Sequence, residues 1–176
     1  MKLFFNPNDD MSPHVDLIYS IVKYTAPDVV LEIGVKGGVS TKAILKGMTN
    51  SEKCGEYYGC DIKPKIFQSN LLPSAKFLTI SSDNLAKEWA KPIDFLFIDG
   101  DHHYEQVKRD YLHFSEFVTL NGFMIFHDTF PPNDNYKSGK SCGTAFMVLD
   151  DLRKDSRFES VTLPYSFGLT ICRRIR

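Results

Sequence analysis

Short apolar runs alternate along this chain with stretches in which apolar residues recur three and four positions apart. Short apolar runs are typical of strands, and the wider spacing is typical of one face of a helix. The pattern predicts strands at 29–33, 57–61, 76–80, 93–99, 122–126, 158–163 and 167–172. It predicts helices before and between these strands, at 12–26, 40–46, 66–72, 85–90, 104–118 and 143–153.

The last two predicted strands are separated by only a few residues around Pro164. Because this connection is too short for a parallel crossover, the two strands should form an antiparallel hairpin. Strands that alternate with helices and end in such a hairpin predict an α/β fold. We expect a doubly wound, mostly parallel seven-stranded sheet with one antiparallel strand. A chain of 176 residues is the usual size of one domain, so residues 1–176 should form a single domain.

The most informative segment is 29–41, which reads VVLEIGVKGGVST. It predicts a buried strand that contains Glu32, then a tight turn and the start of a helix. Ser40 or Thr41 is expected to cap that helix. Glycine lets the backbone turn tightly and lets a ligand approach it closely. The glycines of this turn are Gly34, Gly37 and Gly38.

The acid beside this turn distinguishes two kinds of cofactor. A dinucleotide pyrophosphate is bound by G-x-G-x-x-G, but Lys36 occupies the place of its second glycine. The carboxylate of Glu32 would repel a pyrophosphate and attract an ammonium group. The alternative is an ordinary turn between strand and helix, with a partly exposed Glu32.

Polar or acidic residues close the first five predicted strands. They are Glu32, Asp61, Ser81–Asp83, Asp99 and His127–Asp128. In open α/β sheets, ligands bind outside the carboxyl ends of the strands. These groups therefore predict a polar pocket above an apolar sheet.

Composition excludes several classes of function. The net charge of −1 and the pI near 6.5 leave no electrostatic footprint for nucleic acid. No apolar run reaches the ~18 residues of a membrane span, and the first residues do not resemble a signal peptide. The cysteines do not have the spacing of a zinc finger. We expect a soluble, cytoplasmic protein with reduced thiols.

Two longer motifs carry a resemblance to a known family. Residues 99–110 read D-G-x-H-x-Y-x-x-V-x-x-D, and residues 122–128 read G-x-x-x-x-H-D. With the E-x-G-x-x-G-G turn, they resemble the class I S-adenosylmethionine-dependent methyltransferases, which have a Rossmann-like fold. The similarity is to the small-molecule O-methyltransferase branch, with its catechol, macrolide-sugar and cephalosporin-type enzymes. It covers roughly residues 14–173 and implies that the single domain is a methyltransferase domain.

The resemblance implies a site for S-adenosylmethionine. Asp61 would accept hydrogen bonds from the ribose, a role that acids also have in nicotinamide enzymes. Ile62 would pack on the adenine, with Ser82 and Asp83 at its rim; alternatively, Asp83 caps the following helix. The residues expected to bind the cofactor are Glu32, Gly34, Gly38, Ser40, Asp61, Ile62, Ser82, Asp83 and Asp99.

In relatives of that branch, acids at the ends of the fourth and fifth strands hold a divalent metal, which implies Asp99 and Asp128 as ligands. Neighbouring strands lie ~4.8 Å apart, so these acids could share one ion. Oxygen ligands favour Mg²⁺ or Mn²⁺. His127 as a third ligand would shift the preference towards Mn²⁺, Fe²⁺ or Zn²⁺. Alternatively it is not a ligand, because successive strand residues face opposite ways.

His102 is the expected general base, because histidine titrates near physiological pH and this one follows the fourth strand. Asp99 is expected beside it in the catalytic group. His103 is the next choice as base. The alternative for His102 is a cap of the following helix or a bond to a loop carbonyl. A base assists the removal of a proton from the acceptor hydroxyl.

We therefore expect a metal-assisted O-methyltransferase that acts on a small hydroxylated acceptor, such as a sugar, polyol or phenol. Few residues precede the first strand, so either the acceptor site is open or a second subunit of a homo-oligomer covers it. Two alternatives remain. One is a non-catalytic module that binds the cofactor, because fold does not imply function. The other is an NAD-dependent oxidoreductase.

Overall fold

The computed structural model describes residues 9–63, 73–132 and 143–176. The strands are β1 Val29–Ile33, β2 Glu56–Asp61, β3 Ala75–Thr79, β4 Ile93–Ile98, β5 Val118–His127, β6 Phe158–Leu163 and β7 Leu169–Arg174. The α-helices are α1 Val15–Thr25, α2 Val39–Thr49, α3 Ser82–Glu88, α4 Tyr104–Phe114 and α5 Val148–Leu152. Short 3₁₀ turns span Ser12–His14, Ser115–Phe117 and Ala145–Met147. The helix predicted at 66–72 lies outside the described residues.

All seven strands form one sheet in the order β3-β2-β1-β4-β5-β7-β6. Strands β1 to β5 pair in parallel, and β7 runs antiparallel to both of its neighbours. The predicted fold is therefore confirmed, including the C-terminal hairpin. The chain reverses its winding between β1 and β4, and this switch point is where open α/β sheets bind ligands.

Apolar side chains cover both faces of the sheet. One layer places α1 and α2 against Val30, Phe95 and Phe97, and the other places α3 and α4 against Leu31 and Leu96. Each of these five sheet side chains is fully buried. Burial on both faces explains why the central strands are continuous apolar runs. Among the described helices, none has the length and apolar character required to cross a membrane.

Several predicted bounds are wrong: α3 spans Ser82–Glu88 rather than 85–90, and β5 begins at Val118 rather than at 122. Two helix ends differ for reasons that lie in another element. Helix α2 does not stop at Gly47 but continues to Thr49. A Cβ on Gly47 would lie 2.9 Å from the Tyr19 carbonyl oxygen, so this glycine allows α1 and α2 to pack closely. Helix α4 ends at Phe114 rather than near Val118, because Val118 already pairs with Ile93 as the first residue of β5.

Candidate functional site

The carboxyl ends of the strands open into a cavity of about 580 Å³. The predicted site residues that line it are Gly34, Asp61, Ile62, Ser82, Asp83, Asp99, His102, His127 and Asp128. Glu32, Gly38 and Ser40 do not line it. The cavity has the size of a pocket for a small molecule or cofactor.

The glycine turn brings the ends of β1 and β4 close together. Gly34 has φ of +92°, and a Cβ there would lie 2.1 Å from the Asp99 carbonyl oxygen. Only glycine fits at this position, because both the backbone conformation and the space exclude a side chain. The amide of Asp99 donates to the carbonyl of Ile33 at 2.8 Å, which fixes Asp99 beside the turn.

Asp61 holds the same turn from the end of β2. One carboxylate oxygen accepts from the amides of Val35 at 3.1 Å and Lys36 at 2.8 Å. The other oxygen accepts from the amide of Lys63 at 2.7 Å. A carboxylate offers about four acceptor positions. Asp61 therefore retains acceptor capacity towards the cavity that it lines.

Glu32 is completely buried, so the alternative of a partly exposed acid is wrong. Its carboxylate accepts hydrogen bonds from Ser40, from Thr41 at 2.8 Å and from Tyr57. Burial raises the pKa of Glu32 to about 7, although these three hydroxyls oppose the shift. The predicted cap by Ser40 or Thr41 is also wrong. The N-cap is Gly38, without a side-chain bond, because both hydroxyls turn towards Glu32.

Asp99, His102 and Asp128 form a group of side chains that could hold a cation. Each offers a ligand atom, and these atoms lie within 4.8 Å of one another. The His102 Nδ1 and the Asp128 carboxylate are 2.5 Å apart. This hydrogen bond raises the pKa of His102, against the effect of burial. The described residues thus combine two carboxylates and one imidazole around one point.

His127 is not a member of this group, but its ring contacts both of the acids. Its Nδ1 is 3.3 Å from an Asp99 oxygen and 3.5 Å from an Asp128 oxygen. Burial lowers the pKa of His127, but the attraction of Asp99 and Asp128 outweighs it and raises the pKa to about 9. His127 and Asp128 reach the same cavity because Asp128 has φ of +58°, which breaks the alternation of the strand.

Sequence reasoning missed two polar residues of helix α4 that line the cavity. Gln106 donates to the Ser82 hydroxyl at 3.1 Å and to the Asp110 carboxylate at 3.0 Å. Asp110 is buried, and burial raises its pKa to about 6. Both residues stand four positions apart inside the 99–110 motif, so a helical reading of that motif would have placed them on one face.

The observed helix caps rule out Asp83 as the cap of α3 and His102 as the cap of α4. Helix α3 is capped by Ser81, whose hydroxyl accepts from the amide of Asn84 at 3.3 Å, so Asp83 is not the cap. Asp83 instead accepts from Arg109 at 3.2 Å. His103, not His102, occupies the N-cap of α4, and it makes no side-chain cap bond there. The exposed ring of His103 bonds to Asp101 at 2.6 Å.

Comparison with known proteins gives consistent matches. A family model described as a methyltransferase domain matches residues 31–129. A methyltransferase of Podospora anserina, bound to S-adenosylhomocysteine (SAH), is 21% identical. Its TM-score is 0.76 over 98% of this chain and 83% of that chain. An O-methyltransferase of Bacillus cereus in complex with SAH is 15% identical, with a TM-score of 0.77 over 99% and 84%. A methyltransferase of Geobacter sulfurreducens is 14% identical, with a TM-score of 0.71 over 92% and 78%. At these identities the structural similarity concerns the fold.

Proposed function

Since the chain belongs to the methyltransferase-domain family, we propose that it transfers a methyl group from S-adenosylmethionine to a hydroxyl oxygen of a small acceptor. The predicted class of enzyme, a methyltransferase, is confirmed. The observation that carries the finer proposal is the cation-binding geometry of Asp99, His102 and Asp128 beside the glycine turn. The same turn disfavours NAD, because Lys36 occupies the place of the second glycine of the dinucleotide-binding motif.

The size and the lining of the cavity suit S-adenosylmethionine. Gly34 lines the cavity without a side chain, and Asp61 retains an acceptor position for a ribose hydroxyl. Ser82, Asp83 and Ile62 line the cavity as the adenine side of the proposed site. The bound cofactor supplies a methyl group on a sulfonium. The solved O-methyltransferase of Bacillus cereus, in complex with SAH, supports the same cofactor here.

The donor set fits a divalent cation. Asp99, His102 and Asp128 would hold it, and the acid-bonded ring of His127 would orient the two carboxylates. Carboxylates suit Mg²⁺ and Mn²⁺, and the imidazole favours Mn²⁺ between these two. Such an ion would stabilise the deprotonated acceptor hydroxyl. Asp99 and Asp128 position the acceptor oxygen, which supplies much of the rate in a transfer that needs in-line geometry.

His102 has two candidate roles, and they predict different results. As a base it would remove the proton of the acceptor hydroxyl, and its loss would lower kcat about 10²–10⁴-fold with partial rescue at high pH. As a ligand its loss would weaken the binding of the cation. His102→Gln, assayed for kcat against pH and for the Kd of Mn²⁺, separates the two roles.

Methyl transfer from labelled S-adenosylmethionine to a panel of sugars, polyols and phenols tests the proposed function. EDTA should abolish transfer, and Mg²⁺ or Mn²⁺ should restore it. Asp128→Asn should have the same effect as EDTA and leave the Kd of the cofactor unchanged. The exposed Asp150, which pairs with Arg153, provides the control Asp150→Asn with wild-type activity.

The outcomes distinguish the parts of the proposal. Full activity in EDTA would show that transfer needs no cation and would contradict that part of the proposal. Binding of the cofactor without transfer to any acceptor would favour the non-catalytic module. A vicinal diol should react faster than its mono-deoxy analogue, because two adjacent oxygens can chelate one ion. Equal rates for the two acceptors would contradict chelation.

A further inference from the structure

The backbone of His102 is fixed by a segment that is distant in sequence. The amide of Thr144 donates to the His102 carbonyl at 2.7 Å. The Thr144 hydroxyl accepts from the amide of Tyr104 at 2.8 Å. His102 thus lies between its ring partner, Asp128, and the backbone contact with Thr144.

Gly143 allows this contact. It has φ of +58°, and a Cβ there would lie 2.0 Å from the His102 carbonyl oxygen and 2.8 Å from the His102 Cβ. A side chain at this position would therefore displace His102. We call Gly143 and Thr144 the 143–144 corner.

The corner also replaces a missing helix cap. The first amides of a helix need acceptors outside it, and the N-cap of α4, His103, provides no side-chain bond. The hydroxyl of Thr144 bonds the first of these amides, that of Tyr104. The Tyr104 hydroxyl donates to Asp151 at 2.8 Å, and Lys108 lies 3.1 Å from the same carboxylate. Helix α4 is therefore bonded to the 143–152 segment at two places, Thr144 and Asp151.

We propose that the 143–144 corner positions His102 for cation binding. This inference rests on the cation of the proposed function. A ligand must be held within about 0.5 Å of its productive place by the groups around it. The His102 side chain is 40% exposed, so packing alone does not fix it. Thr144 is a positioning residue in this scheme, because its hydroxyl holds the amide of Tyr104, two residues after His102, and so fixes the backbone that carries His102.

Binding of Mn²⁺, followed by electron paramagnetic resonance, tests the corner without an activity assay. Thr144→Val keeps the shape and removes the acceptor of the Tyr104 amide. Loss of a group that orients a ligand typically weakens metal binding about 10–100-fold, so the Kd of Mn²⁺ should rise at least about tenfold. Thr144→Ser keeps the hydroxyl and should bind Mn²⁺ as the wild type does. The Kd of SAH should stay within about twofold in both variants.

Each result has a distinct meaning. Wild-type protein that does not bind Mn²⁺ would overturn the cation of the proposed function and this inference together. Wild-type binding that persists in Thr144→Val, but is lost in His102→Gln, would overturn this inference alone. If Thr144→Val does not fold, Thr144→Ala removes the same acceptor with less bulk. The same tenfold rise is then expected, and an unchanged Kd would contradict the inference.

Discussion

At the scale of single residues, the surroundings of Glu32 shift the pKa of its carboxyl group. It is fully buried and accepts bonds from three hydroxyls, yet desolvation raises its pKa from 4.5 to about 7. Hydroxyl donors favour the charged form, but the cost of removing a carboxylate from water is larger. Near neutral pH, Glu32 therefore takes up and releases a proton inside the fold.

This acid should make the free energy of unfolding depend on pH. The folded protein binds the proton more tightly than the unfolded chain, so the contribution of Glu32 is fully present below pH 4.5 and is lost as the pH rises through about 7. Glu32→Gln should lack this loss. Urea unfolding of both proteins across this range measures the difference. Parallel stability curves would contradict a raised pKa.

Asp61 combines two tasks at one carboxylate. It holds the amides of Val35 and Lys36, and it faces the cavity. Asp61→Ala should weaken binding of SAH by about 1.5–3 kcal/mol, the contribution of a hydrogen bond to a charged acceptor. Titration calorimetry measures this change. Asp150→Asn is the control and should bind SAH with wild-type affinity. A wild-type Kd for Asp61→Ala would show that Asp61 does not bind the cofactor.

At the scale of elements, the contact between α1 and α2 depends on one position. Gly47 is buried within α2, with Val22 and the Tyr19 carbonyl oxygen 2.9 Å from the place of its missing Cβ. Glycine normally weakens a helix interior by about 0.5–1 kcal/mol relative to alanine. The close approach of the two helices reverses the preference at this site.

Gly47→Ala should therefore destabilise the protein although alanine favours helices. Overpacking costs typically 1–3 kcal/mol, which exceeds the gain in helix propensity. Chemical denaturation measures the difference from wild type. Lys46→Ala, at a half-exposed position of the same helix, is the control and should change stability by less than about 0.5 kcal/mol. A more stable Gly47→Ala would show that α1 moves aside at little cost.

The local pattern predicted elements well and contacts between distant segments poorly. Strands β1 and β6 have the predicted bounds, because the apolar pattern that defines a strand is formed by residues adjacent in sequence. The end of α2 depends on Tyr19 in another helix, and the missing cap of α4 is supplied by Thr144. The orientation of Asp128 depends on its φ, which strand alternation cannot predict. The strand-end acids were found from sequence, whereas Asp110 was missed.

At the scale of the whole molecule, the sheet topology gathers residues that are far apart in sequence. Gly34, Asp61, Asp99 and Asp128 follow or end four neighbouring strands, in the sheet order β2-β1-β4-β5. The folded chain alone presents them together. A ligand of this cavity should therefore bind the folded state and not the unfolded one.

Ligands should accordingly raise the melting temperature. SAH at a hundred times its Kd should add about 2.7 kcal/mol, which corresponds to roughly 5–10 °C for a chain of this length. Mn²⁺ should add a second increase, because Asp99, His102 and Asp128 also come together only in the fold. Differential scanning fluorimetry with each ligand, and with both, measures the shifts. Melting temperatures that SAH leaves unchanged would contradict the cofactor.

The φ of +58° at Asp128 also limits how this position tolerates substitution. Asparagine and aspartate visit this backbone region readily, whereas most other side chains pay about 1–2 kcal/mol there. Alanine would remove the carboxylate and strain the backbone at once, and glycine would remove only the carboxylate. Few replacements are therefore open to random mutation without loss of either chemistry or stability. Under selection for activity, drift at this position should be confined to a very small set of amino acids.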